Sequence, residues 1–124
     1  MNIFKIKSYA KINLALNVTG KLTKLHKIES IVAFIDLYDL ISLKKIKKTK
    51  HIVRFSGKFA NNIKKNNTVQ KLFNILEEQN LLRDKKFQVK IRKNIPQKAG
   101  LGGGSMNAAS ILDFLMKKKF VKLN

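Results

Sequence analysis

Residues 94–115 read NIPQKAGLGGGSMNAASILDFL, and this stretch decides how the rest of the chain is read. It holds the only proline, Pro96, and four of the six glycines, at 100, 102, 103 and 104. Just upstream, residues 86–93 (KFQVKIRK) alternate strictly. Phe87, Val89 and Ile91 point one way and Gln88, Lys90 and Arg92 the other, which is the pattern of a half-buried strand. Just downstream, Ser105 opens an apolar helix carrying Ala108, Ala109, Ile111, Leu112 and Leu115. The order is strand, glycine-rich loop, helix. Such a loop lets the backbone approach a ligand closely. The first amides of the helix have no internal partners and carry the positive end of the helix dipole. Together they make an anion site that suits a phosphate chain. Ser105 can add a hydroxyl to a phosphate or a magnesium ion, and Asn107 an amide contact.

Two common phosphate motifs are excluded by spacing. A P-loop needs a lysine after its last glycine, and none follows any of the four glycines of this stretch. The dinucleotide fingerprint G-x-G-x-x-G fails as well. From Gly100 its third glycine falls on Ser105, and from Gly102 on Asn107.

Upstream, Asn66-Asn67-Thr68 is a helix start. Val69, Leu72, Phe73 and Leu76 follow as one apolar stripe, predicting a helix that ends near Asn80. Residues 51–56 (HIVRFS) predict a short strand closed by Gly57. Residues 2–8, 10–19, 28–37 and 40–47 predict four more strands, with a polar loop over 21–27 and a turn at Tyr38-Asp39. No internal repeat or interdomain linker appears, and 124 residues fit one domain.

The absence of cysteine removes disulfides, thiolate metal sites and thiol nucleophiles. Two histidines in lysine-rich surroundings argue against an imidazole metal site. The net charge of +20 points first to polyanions. However, 24 lysines stand against 3 arginines, alongside 14 isoleucines and 12 asparagines. Those residue types follow AT-rich codons, and nucleic-acid binders favour arginine, so the charge is read mainly as codon bias. No signal peptide is evident, and no stretch approaches 18 apolar residues. A cytoplasmic protein with no membrane partner is expected.

The stretch IPQKAGLGGGSMNAA (95–109) resembles the second motif of the GHMP kinase superfamily, P-x-x-x-G-L-G-x-x-S. Residues 9–20, YAKINLALNVTG, independently resemble an N-terminal motif, A-K-[IL]-N-L-x-L-x-[IV]-x-G, of one branch of it. That branch phosphorylates a hydroxyl of a cytidyl-diphosphate sugar alcohol in non-mevalonate isoprenoid biosynthesis, using ATP and Mg2+. The resemblance covers nearly the whole chain. It implies an α+β fold like ribosomal protein S5 domain 2: a mixed, mostly antiparallel sheet with helices on one face. It also implies that Pro96, Gln97, Lys98, Ala99, Gly100, Leu101, Gly102, Gly103, Gly104, Ser105 and Met106 wrap the ATP phosphates, Ser105 also reaching the magnesium. Lys11 would lie by the acceptor hydroxyl and stabilise the transferring phosphoryl group. Asn13 and His26 would contact the cytidyl substrate.

The sequence departs from the family at three places. Leu25 stands where an aromatic residue usually stacks on the base. Met106 replaces a second serine. The downstream G-x-D-[VI]-P-type motif with its catalytic aspartate is absent, as is the C-terminal glycine-rich motif. Asp36, Asp39 and Asp113 are not promoted in its place. The 124 residues are therefore expected to be the N-terminal GHMP domain of a longer kinase, incomplete at its C-terminal end and inactive alone. A basic RNA-binding module of the same fold stands as the alternative, and a decayed gene product as a third reading.

Overall fold

The computed structural model describes residues 2–22, 25–96 and 103–121; side chains are described for 2–11, 36–96 and 104–121. The elements run β1 (Ile3–Leu22), β2 (Leu25–Ile46), β3 (Ile52–Ser56), α1 (Thr68–Glu78), β4 (Lys86–Arg92) and α2 (Gly103–Lys117). The strands form one sheet in the order β1-β2-β4-β3. β1 pairs with β2, and β2 with β4, antiparallel; β3 and β4 are parallel. That is the expected mixed, mostly antiparallel sheet.

Both helices cover the same face of the sheet. Ile41 and Leu43 of β2 and Phe87, Val89 and Ile91 of β4 are fully buried there. Val69, Phe73 and Leu76 of α1 and Ile111 and Leu115 of α2 close over them, with Leu82 and Val121 at the margins. The apolar stripe predicted for α1 is thus the stripe that is buried, except Leu72, which is half-buried. Asn67 caps α1, its side-chain oxygen accepting from the Gln70 amide at 2.9 Å.

The other face is polar, and the pairing lays it out in rows. Ile3, Lys44, Gln88 and Ile52 form one row; Lys5, Ser42, Lys90 and Arg54 the next; Lys7, Leu40, Arg92 and Ser56 the third. Six of these twelve residues are cationic and none is acidic. Lys5, Lys7, Lys44 and Lys90, with Arg54 and Arg92, are set on one sheet face by the two-residue period of strands.

Three expectations are corrected. Residues 2–8 and 10–19 form a single strand, with register shifts between Tyr9 and Lys11, Asn13 and Ala15, and Thr19 and Lys21. Such irregularities re-aim a strand without ending it. Tyr38-Asp39 is no turn: Tyr38 pairs with Tyr9 and Asp39 with Ser8 in the middle of β2. A residue poor in strand propensity is held extended by tertiary hydrogen bonds to its carboxylate. The loop over 21–27 is mostly ladder, since Lys21 pairs with His26 and Leu22 with Leu25; residues 23–24 lie outside the described set.

His51, just before β3, ties this corner together. Its side chain is 6% exposed and lies between Phe73 (4.7 Å between ring centroids) and Phe87 (6.3 Å). Nδ1 accepts the Phe87 amide at 3.0 Å, and Nε2 lies 2.5 Å from Glu77 Oε1. Burial lowers the His51 pKa below its ordinary value, although the bond to Glu77 works the other way. The Lys86 ammonium, 2.6 Å away, lowers the Glu77 pKa.

Candidate functional site

α2 begins at Gly103, two residues earlier than expected, so Gly103 and Gly104 form its first turn with Ser105 and Met106. The amides of that turn have no carbonyl one turn earlier in the helix to accept them. Ser105 is exposed and Met106 half-buried. No acidic residue occupies the turn to cancel the positive end of the dipole. α1 starts beside it: Thr68 Oγ1 donates to the Gly104 carbonyl at 2.9 Å. Two helix N-termini therefore converge at one place, which strengthens the positive field there.

Pro96 is half-buried and follows the buried Ile95. The other loop residues singled out from the sequence, Gln97 through Gly102, lie outside the described residues. Lys11 is half-buried on β1, opposite Phe34 of β2. Asn13 pairs with Val32 on the same strand, and His26 lies in β2 opposite Lys21 instead of in a loop; the side chains of Asn13 and His26 are outside the described set.

What joins β1 to α2 is a buried polar network that sequence reasoning did not find. Asn107 Nδ2 donates to Ser8 Oγ and to Asp39 Oδ2, both at 3.0 Å. Lys93 Nζ donates to Asn107 Oδ1 at 2.8 Å and pairs with Asp39 Oδ2. Asp39 Oδ1 accepts the backbone amides of Asn94 (2.7 Å) and Ile95 (2.9 Å). The Asn94 side chain donates to the Tyr38 carbonyl at 3.0 Å. Ser8 and Asp39 are fully buried, and Asn107 and Lys93 nearly so. No buried side-chain nitrogen or oxygen among the described residues lacks a partner.

This overturns one expectation. The Asn107 amide is consumed inside the protein and does not face a phosphate. A sequence signal did exist: Asn107 sits one turn before Ile111 on the stripe that packs on the sheet, so it had to be buried. The network sets the site's geometry. Ser8 stands three positions before Lys11, and Asn107 two positions after Ser105. Their contact sets the part of β1 that carries Ser8 and Lys11 beside the start of α2.

Asp36 is exposed. Asp113 is exposed on the outer side of α2 and pairs with Lys117 at 2.9 Å. Among the described residues no group of three His, Asp or Glu side chains could hold a metal ion. Ser105 offers one exposed hydroxyl, which fits a magnesium ion that arrives already ligated by phosphates and water. No described helix is long and apolar enough to cross a membrane.

Residues 67–123 match the family described as GHMP kinases N terminal domain. Over 99% of its length the chain is 58% identical to the 4-diphosphocytidyl-2-C-methyl-D-erythritol kinase of Pelagibacter ubique (strain HTCC1062) and covers 44% of that protein. It is 40% identical to the Ehrlichia canis (strain Jake) protein of the same name over 93% of its length, covering 40% of that relative. A solved 4-(cytidine 5'-diphospho)-2C-methyl-D-erythritol kinase superposes on 98% of the chain with a TM-score of 0.71 at 22% identity, and 42% of that chain is covered. The chain thus spans less than half the length of the relatives it matches.

Proposed function

We propose that this chain is the nucleotide-binding N-terminal domain of a kinase that transfers the γ-phosphoryl group of ATP to a hydroxyl of 4-diphosphocytidyl-2-C-methyl-D-erythritol, in non-mevalonate isoprenoid biosynthesis. The observation that carries this reading is the Ser8–Asn107 contact, which puts the Lys11 strand beside the glycine-rich start of α2. The loop from Pro96 to Met106 holds the phosphates through its amides. Ser105 supplies the one protein hydroxyl for the magnesium ion, whose charge offsets that of the phosphates. The Lys11 ammonium stabilises the acceptor oxygen as it attacks and the phosphoryl group as it leaves ADP. Asn13 and His26 contact the cytidyl substrate. No carboxylate among the described residues is assigned as base, so these 124 residues bind nucleotide and turn over little by themselves.

Calorimetric titration with ATP–Mg2+ tests this. Saturable binding is expected, and Gly103→Asp, which sets a carboxylate against the phosphates, should abolish it. Absent binding, or equal binding by the variant, overturns the reading.

The basic outer sheet face favours a second reading, RNA binding. It predicts affinity for single-stranded RNA that falls steeply with salt and is lost in Lys90→Glu/Arg92→Glu, with no effect of Gly103→Asp.

A further inference from the structure

We infer that Asp39 is a positioning residue for the nucleotide site, its one carboxylate tying the exit of β4 to the start of α2; this rests on the nucleotide reading above. Oδ1 accepts from Asn94 and Ile95, the two residues that lead into Pro96. Oδ2 accepts from Asn107, in the second turn of α2, and from Lys93, which grips the same Asn107 through its carbonyl oxygen. The residues that leave β4 and the first turns of α2 are thereby held to one carboxylate.

The chemistry of the clamp fits positioning better than plain stability. A buried ion pair is often no more stabilising than well-packed apolar side chains of the same volume. Apolar residues at 39 and 93 would fill this space but hold neither the two amides nor the Asn107 side chain. These bonds fix Asn94 and Ile95 relative to Asn107, and with them the aim of the free amides at the start of α2. Phosphate binding through amides depends on that aim.

The experiment compares wild type, Asp39→Asn, and the exchanged pair Asp39→Asn/Asn107→Asp. In Asp39→Asn an NH2 group meets the Asn107 NH2 group and the Lys93 ammonium loses its carboxylate. The exchange restores an acceptor for the two backbone amides, a donor–acceptor pair between 39 and 107, and a carboxylate for Lys93. Urea unfolding reports the fold, hydrogen exchange the amides of Asn94 and Ile95, and calorimetry the ATP–Mg2+ affinity. Asp39→Asn should bind ATP roughly ten- to a hundredfold more weakly, the worth of one charge-assisted hydrogen bond, with faster exchange at both amides. The exchanged pair should recover both. The inference is overturned if Asp39→Asn folds and binds ATP as wild type does, or if the exchanged pair recovers stability but not affinity. Should Asp39→Asn fail to fold, the exchanged pair decides by the same criterion. Failure of the wild-type chain to bind ATP overturns the nucleotide reading itself, and this inference with it.

Discussion

The amide of Phe87 donates to Nδ1 of His51 at 3.0 Å, which leaves the neutral ring's proton on Nε2, facing Glu77. Protonating His51 would set an N–H against the Phe87 N–H. Burial lowers its pKa from the ordinary 6.5, so the unfolded chain takes up a proton more readily than the folded one. Stability should therefore fall as pH drops below 6.5, until the folded pKa is passed. Glu77, lowered from 4.5 mainly by Lys86, adds stability that is complete above 4.5 and is lost at more acid pH. Urea midpoints between pH 7.5 and 5.5 should decline, and His51→Gln should flatten that limb. An equal slope in the variant would place the acid sensitivity elsewhere.

Gly57 has a φ of 95°, and a Cβ there would lie 2.9 Å from the Lys93 carbonyl oxygen and 3.0 Å from its nitrogen. The Lys93 backbone is itself fixed, its amide donating to the Ser56 carbonyl at 2.7 Å. Gly57→Ala should cost about 1–3 kcal/mol in chemical denaturation, combining left-handed strain with a backbone clash. A midpoint within error of wild type would mean that β3 and β4 shift apart freely.

Asn67 both caps α1 and donates to the Lys64 carbonyl at 2.8 Å. Asn67→Ala should lower stability by about 1 kcal/mol, while Asn67→Asp keeps the cap. Thermal unfolding of the two variants side by side distinguishes loss of the cap from a general intolerance of change at this position.

On the proposed role, in which the Lys11 ammonium acts on charge that develops in the transition state, Lys11→Ala in a full-length kinase carrying these residues should lower kcat by about a hundredfold or more and leave the KM for ATP nearly unchanged. A raised KM with normal kcat would instead make Lys11 a phosphate-binding residue.

Periodicity made the fold's centre readable. β4 and α1 each present one clean apolar face, and both faces are buried as their spacing required. The Tyr38-Asp39 turn failed because local propensity carries no record of Asn94 and Ile95, which hold Asp39 extended from 55 and 56 residues away. The loop drawn over 21–27 failed because its polar residues continue a ladder whose partner strand lies directly across the hairpin. The glycine-rich helix start was legible because its chemistry is contiguous in sequence. The network beneath it was not, apart from Asn107 with its place on the apolar stripe of α2, since Ser8, Asp39 and Lys93 are ordinary surface residue types whose burial only the assembled sheet reveals.

The Ser8–Asn107 hydrogen bond spans 99 residues, and the Asn107–Asp39 bond spans 68. A ribosome releasing the chain from its N-terminus delivers the β1–β2 hairpin long before its polar partners exist. Until the end of β4 and then α2 emerge, Asp39 and Ser8 have no reason to leave water, and the hairpin cannot be sealed on that side. The buried polar seam therefore closes last, with the forming of its longest-range contact. A chain stalled before residue 107 would be a sheet with its polar seam still open, and chaperones should meet it in that form.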